Sequence, residues 1–152
     1  MAREPWTYLD RILAAIDRIL ACGEGLVEGE LNWRPAGDRT NSVFAIARHA
    51  VSNAERNVLG TYCGQAYEWR RELEFAATGE SLMPLLERWR ALKESMQDAV
   101  EVAGHAGLTR TCVHPRLGPI EGREVLLQAA YHAAEHVGEA QLTRALLEAR
   151  RG

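Results

Sequence analysis

The chain has 152 residues, 47% apolar and 26% charged, with a net charge of −3 and a pI near 6.0. That length supports one domain with its own core, expected over residues 1–152, and the charge offers no basic patch for nucleic-acid phosphates. No apolar run approaches a bilayer span, charges at Asp10, Arg11, Asp17 and Arg18 exclude a secretory signal, and Cys22, Cys63 and Cys112 are too scattered for a disulfide framework or a zinc knuckle. The expectation is a cytoplasmic protein with reduced thiols and no nucleic-acid or membrane partner.

Residues 5–22 predict a first helix. Pro5 suits its first turn, Leu9, Ile12, Leu13, Ile16, Ile19 and Leu20 recur at helical spacing, and Gly23 and Gly25 end it. In the connection that follows, Trp33 is expected to fold over one end of the core. A second helix is predicted over 42–62, capped by Asn41 or Ser42. Its inner face carries Val43, Ile46, Ala47, Ala50, Ala54 and Val58. His49 lies on the flank of that face. Such a position suits a ligand reaching across to another helix, and equally an ordinary half-exposed histidine.

The link over 63–80 is long. Extended, about 18 residues span roughly 60 Å, against about 30 Å for a 20-residue helix. The link can therefore cross the whole molecule and let the third helix run parallel to the second. That third helix, over 81–103, carries Leu82, Leu85, Leu86, Trp89, Leu92, Met96, Ala99 and Val100 at three-and-four spacing. Pro84 falls within its first turn, and Gly104 and Gly107 stop it. The stretch 108–122 reads as a short extended or hairpin-like connection, with too few strand residues for a sheet. A fourth helix follows over 121–148. Four amphipathic helices with no convincing strand define an all-α four-helix bundle, an architecture that places metal sites on inward side chains of facing helices.

On the fourth helix, His132 and His136 stand one turn apart on the apolar side, with Val125, Leu126, Ala129, Ala133, Ala140 and Leu147. Two imidazoles so placed can share one metal ion; they can also be two core histidines, each bonded to a neighbour. The run from His132 to His136 also fits the H-x-x-E-H signature of a metalloprotease class. Glu135, however, is turned about 100° round the helix from His136, and only 16 residues follow that histidine, so the match is accidental and Glu135 is a solvated charge. Glu139 flanks the histidine face, where it could orient a ligand or move a proton, or pair at the boundary with Arg144. Asn53, one turn beyond His49, is a candidate outer-shell group. His105 and His114 fall in connections and are left out of the site.

His49 in Arg48-His49-Ala50 followed by Glu55-Arg56, the segment Arg71-Glu72-Leu73-Glu74-Phe75, and the run His132-Ala133-Ala134-Glu135-His136-Val137-Gly138-Glu139 together resemble the DinB/YfiT-like family of metal-binding four-helix bundles. The family's terminal motif often has glutamine where this chain has Glu139. The resemblance implies an up-down-down-up bundle with the long crossover between helices two and three. It implies a divalent metal, nickel or zinc, held by His49, His132 and His136, and a homodimer. For function it implies metal-dependent chemistry on a small molecule, as a transferase using a low-molecular-weight thiol cosubstrate or as a hydrolase. The alternatives are a non-catalytic metal-binding module and a structural homodimer.

Overall fold

A computed structural model describes residues 3–67 and 77–152. The segment 71–75, part of the family resemblance above, lies outside the described residues. The first helix, α1 (Glu4–Ala21), begins on Pro5, whose missing N–H costs nothing in a first turn, and buries Leu9, Ile12, Leu13, Ile16, Ile19 and Leu20. The connection after it holds a short helix, α2 (Glu28–Leu31), and a 3-10 turn at Gly37–Arg39. Trp33 is half-buried there, with the Arg150 guanidinium 5.4 Å from its ring centre.

The second long element starts where the cap was expected. Ser42 Oγ accepts the Ala45 N–H at 3.0 Å and opens α3 (Val43–Ala54). The chain then continues without a break as a π-helix, Glu55–Tyr62, where the sequence predicted ordinary α-helix. The Cys63 N–H closes on the Val58 carbonyl five residues back, at 2.9 Å. The wider winding places Arg56, Asn57, Val58 and Leu59 inward in succession, and all four are buried. Hydrophobic periodicity cannot show this, because a π-turn changes the period it assumes.

The third long helix, α4 (Met83–Ala103), carries Pro84 in its first turn, and Gly104 closes it in a backbone conformation at φ +55° that favours glycine. A short helix, α5 (Ala106–Thr109), leads into two strands, β1 (Thr111–His114) and β2 (Gly118–Glu121). They pair antiparallel, with Cys112 opposite Ile120 and His114 opposite Gly118. The connection read as hairpin-like, with too few strand residues for a sheet, does form a paired two-stranded hairpin, and its strands lean on neighbouring helices for support. The last helix, α6 (Gly122–Arg151), is the longest.

One core joins α1, α3, the π-helix, α4 and α6. Polar contacts at the margins register the helices against each other. On α1, Glu4 meets Arg123 of α6 at 2.7 Å, and the Cys22 carbonyl beyond its end accepts from Arg144 at 3.1 Å. Asp17 accepts from Trp89 and Lys93 of α4 at 2.8 and 3.0 Å, while Trp6 donates to Glu101 at 3.1 Å. Glu55 pairs with Arg88, and the Tyr62 hydroxyl donates to the Gly104 carbonyl at 3.2 Å. Where α5 meets the start of α6, a Cβ on Gly122 would lie 1.9 Å from the Gly107 carbonyl oxygen, so only glycine fits. The outer side of α6 exposes Leu127, Tyr131, Leu142 and Leu146. No described helix is long and apolar enough to cross a membrane.

Candidate metal centre

Two helices, α3 and α6, together make the site. On α3, His49 points inward, 7% exposed, so the flank position read from the sequence is a buried one. On α6, His132 and His136 project one turn apart toward it. The three rings converge on their Nε2 atoms: His49 to His132 is 3.2 Å and His132 to His136 is 3.2 Å. The rings cross steeply, with interplanar angles of 60°, 77° and 72°. Edges, not faces, therefore meet at one point. Metal–nitrogen bonds of about 2.0–2.1 Å at near-tetrahedral angles separate two ligand nitrogens by roughly 3.3 Å. The two 3.2 Å separations fit that requirement, all three ligand atoms lie within 4.8 Å of one another, and among the described residues this is the one histidine, cysteine or carboxylate cluster that could hold a metal ion.

The electrostatics point the same way. Burial first, then the neighbouring His136 and His49 rings and the Arg56 and Arg116 guanidiniums, push the His132 imidazole down to about 3. It is neutral at physiological pH, as a ligand must be. Glu139 Oε2 lies 2.7 Å from His136 Nδ1. A carboxylate only accepts, so the proton sits on Nδ1 and the Nε2 lone pair is left facing the cluster. That contact, followed by the Asn41 amide at 3.2 Å, holds the Glu139 carboxyl below the usual carboxylate range against the opposing effect of burial. The alternative partner considered for Glu139 is engaged elsewhere: Arg144 bonds Glu148 at 2.6 Å and the Cys22 and Glu24 carbonyls.

Asn53 is buried one turn from His49, with its Oδ1 accepting from Asn57 at 2.9 Å. Both line a cavity of about 150 Å³ beside His132, together with Arg56, His114, Arg116, Leu117 and Gln128. His114, left out of the site on sequence grounds, is therefore a neighbour of it. The hairpin carries it there: His114 ends β1, buried, and its Nδ1 accepts the Arg116 and Leu117 N–H groups at 3.1 Å each. Arg56 and Asn57 were also missed. A sequence signal for Asn57 did exist, since His49, Asn53 and Asn57 form a polar i, i+4, i+8 ladder along the helix. His105 is exposed, and Glu135 is exposed on α6 as a solvated charge should be.

The thiols take no visible part. Burial pushes Cys63 up to about 11 and raises Cys22 as well, so both stay protonated near neutrality. Cys112 is buried in the hairpin, and all three cysteines are free.

A mostly helical framework with three converging imidazoles, one of them backed by a carboxylate, defines the class: a helical protein built around a candidate metal site. The family model of the DinB superfamily matches residues 11–140, and the chain belongs to that superfamily. A solved structure described as a conserved protein of locus from Enterococcus faecalis is similar at a TM-score of 0.65 and 16% identity, covering 98% of each chain. At that identity the likeness is one of fold. No match is found among the curated proteins.

Proposed function

We propose that this protein is a metal-dependent enzyme of the DinB superfamily, holding one divalent metal, nickel or zinc, on the Nε2 atoms of His49, His132 and His136. The observation that carries the reading is the pair of 3.2 Å Nε2 separations together with Glu139 on the outer nitrogen of His136. Three neutral imidazoles would hold the ion while leaving room for water or substrate, as in open rather than closed zinc sites. A bound metal supplies a Lewis acid that lowers the pKa of water or holds a thiol as thiolate. The chain's own residues then have separable tasks. Glu139 keeps His136 in the ligating tautomer and can take or return a proton there. The apolar core around His49 keeps water from its inner face. The polar cavity beside His132 admits part of a small substrate. The reaction proposed is transfer to or from a low-molecular-weight thiol, or a related hydrolysis. Asn53 is assigned an outer-shell place through its bond to Asn57.

The second reading is a metal-binding module without turnover. The cavity next to His132 favours the enzyme, since a closed coordination shell needs no such space. Elemental analysis of the purified protein, followed by a thiol-substrate panel with nickel or zinc restored, tests both. Stoichiometric metal with turnover of a thiol substrate is expected. Metal without turnover on any panel member supports the module, and absence of metal removes both readings.

The whole chain is proposed as a single cytoplasmic domain, an up-down-down-up bundle with residues 63–80 as the crossover. The interhelical contacts support that order: Glu4 and Arg123 meet at one end of α1 and α6, Cys22 and Arg144 at the other, while Asp17 meets Trp89 and Trp6 meets Glu101 in reverse sequence. A homodimer is proposed through the exposed apolar stripe of α6.

A further inference from the structure

The two ligands on α6 differ on their outer side. His136 Nδ1 has Glu139, whereas His132 Nδ1 is buried and has no hydrogen-bond partner among the described residues. It is one wall of the 150 Å³ cavity. When His132 ligates through Nε2, its Nδ1 carries a proton that needs an acceptor. Among the described residues no carboxylate lines this cavity. Its cationic walls are the buried Arg56 and, at the mouth, Arg116, while Asn53, Leu117 and Gln128 line the rest. His114 adds a further donor. Its Nδ1 is occupied by two backbone N–H groups, so its proton sits on Nε2. Arg56 and Arg116 set a positive field around both rings. One wall asks for the opposite: Asn57, 3% exposed, has an Oδ1 with no partner among the described residues.

We propose that this cavity binds a small oxyanion bearing a hydroxyl, a phosphoryl or hydroxycarboxylate group. Its charged oxygens accept from His132 Nδ1–H, His114 Nε2–H and Arg116, and its O–H donates to Asn57 Oδ1. The cavity has the volume of about five liquid waters, enough for a group of that size. The oxyanion completes for His132 what Glu139 does for His136. For the His132 donor the inference rests on the metal reading above; the remaining donors are independent of it. By linkage, oxyanion and metal each tighten the other, because both select the same His132 tautomer.

The test titrates the full-length chain with sodium phosphate, before and after zinc loading, by calorimetry and by the imidazole ¹⁵N resonances. Phosphate is expected to bind in both states, more tightly with zinc. It should shift His132 Nδ1 and His114 Nε2 while leaving the exposed His105 unmoved. Arg116→Ala, at an exposed position that leaves the core intact, should weaken phosphate about tenfold, and Arg90→Ala on α4 should not. Glycolate should bind several-fold more tightly than acetate, which lacks the hydroxyl. Binding only after zinc loading and indifferent to Arg116→Ala would place phosphate on the metal and overturn the proposal. So would equal loss in Arg90→Ala, equal shifts at His105, or acetate matching glycolate. A chain that takes no zinc yet binds phosphate with the His114 shift would refute the metal reading alone.

Discussion

His49, His132 and His136 are three of the same donor, but they are held differently, and single substitutions should separate them. On the proposed site, alanine at any one removes a ligand, so metal content after dialysis should fall to near zero for each variant. Full retention in His49→Ala with loss in the other two would show that another residue supplies the third ligand. Glu139→Gln keeps an acceptor for His136 Nδ1 but loses its charge. It should stay loaded at excess metal while affinity falls about 10–100-fold, the usual effect of an outer-shell change, read by competition with a chelator. His114 gives a pH signature of its own. Its pKa is lowered by burial first, then by Arg56 from the π-helix and Arg116 from the turn, with His132 of α6 lining the same cavity. Below the unfolded value of 6.5 the unfolded chain takes up a proton that the folded hairpin refuses. The stability is therefore fully present above that pH and is lost as pH falls, at no more than about 1.4 kcal/mol per unit for one proton. In metal-free protein, denaturant midpoints between pH 7 and 5 should fall less steeply in His114→Gln than in the native chain.

At the level of elements, the junction of α5 and α6 is the tightest. Gly122 opens α6 against the Gly107 carbonyl, and Tyr62 from the π-helix closes over both. A methyl group there would strike backbone, which cannot rotate away. Gly122→Ala should therefore cost about 1–3 kcal/mol, measured as a lowered denaturation midpoint. Because this junction sets where α6 begins, and α6 carries two of the three histidines, the same variant should also bind metal more weakly. Gly138, in the middle of α6 and facing open space, is a useful contrast. Gly138→Ala meets no atom and should raise helix stability by about 0.5–1 kcal/mol.

For the whole molecule, α6 has two apolar sides. The inner one, with Val125, Leu126, Ala129, Ala133, Val137, Ala140 and Leu147, is buried in the core, and the outer one exposes Leu127, Tyr131, Leu142 and Leu146. If the outer stripe joins two copies, Leu142→Glu should shift sedimentation from a dimer to the 16.9 kDa chain. A native protein that sediments only as monomer across a wide concentration range would remove the dimer. The substitution leaves the histidine side untouched, so metal content should not change.

Much of this was legible in order along the chain. Helical stripes marked the four long elements to within a few residues, and Ser42 marked a cap, because local periodicity and capping act over one or two turns. The His132–His136 pair was legible for the same reason, being one turn apart on one helix. His49 was ambiguous by periodicity, and only packing against α6 made it a buried partner. The π-helix, the hairpin pairing and the arrival of His114 and Arg56 beside His132 had no local signature. Each depends on a change of helical period or on a contact between segments distant in sequence. Glu139 shows the division most clearly: its place near His136 could be read from the spacing, but its partner was decided by the tertiary structure, which engaged Arg144 with the carbonyls beyond α1 and left the carboxylate for the histidine.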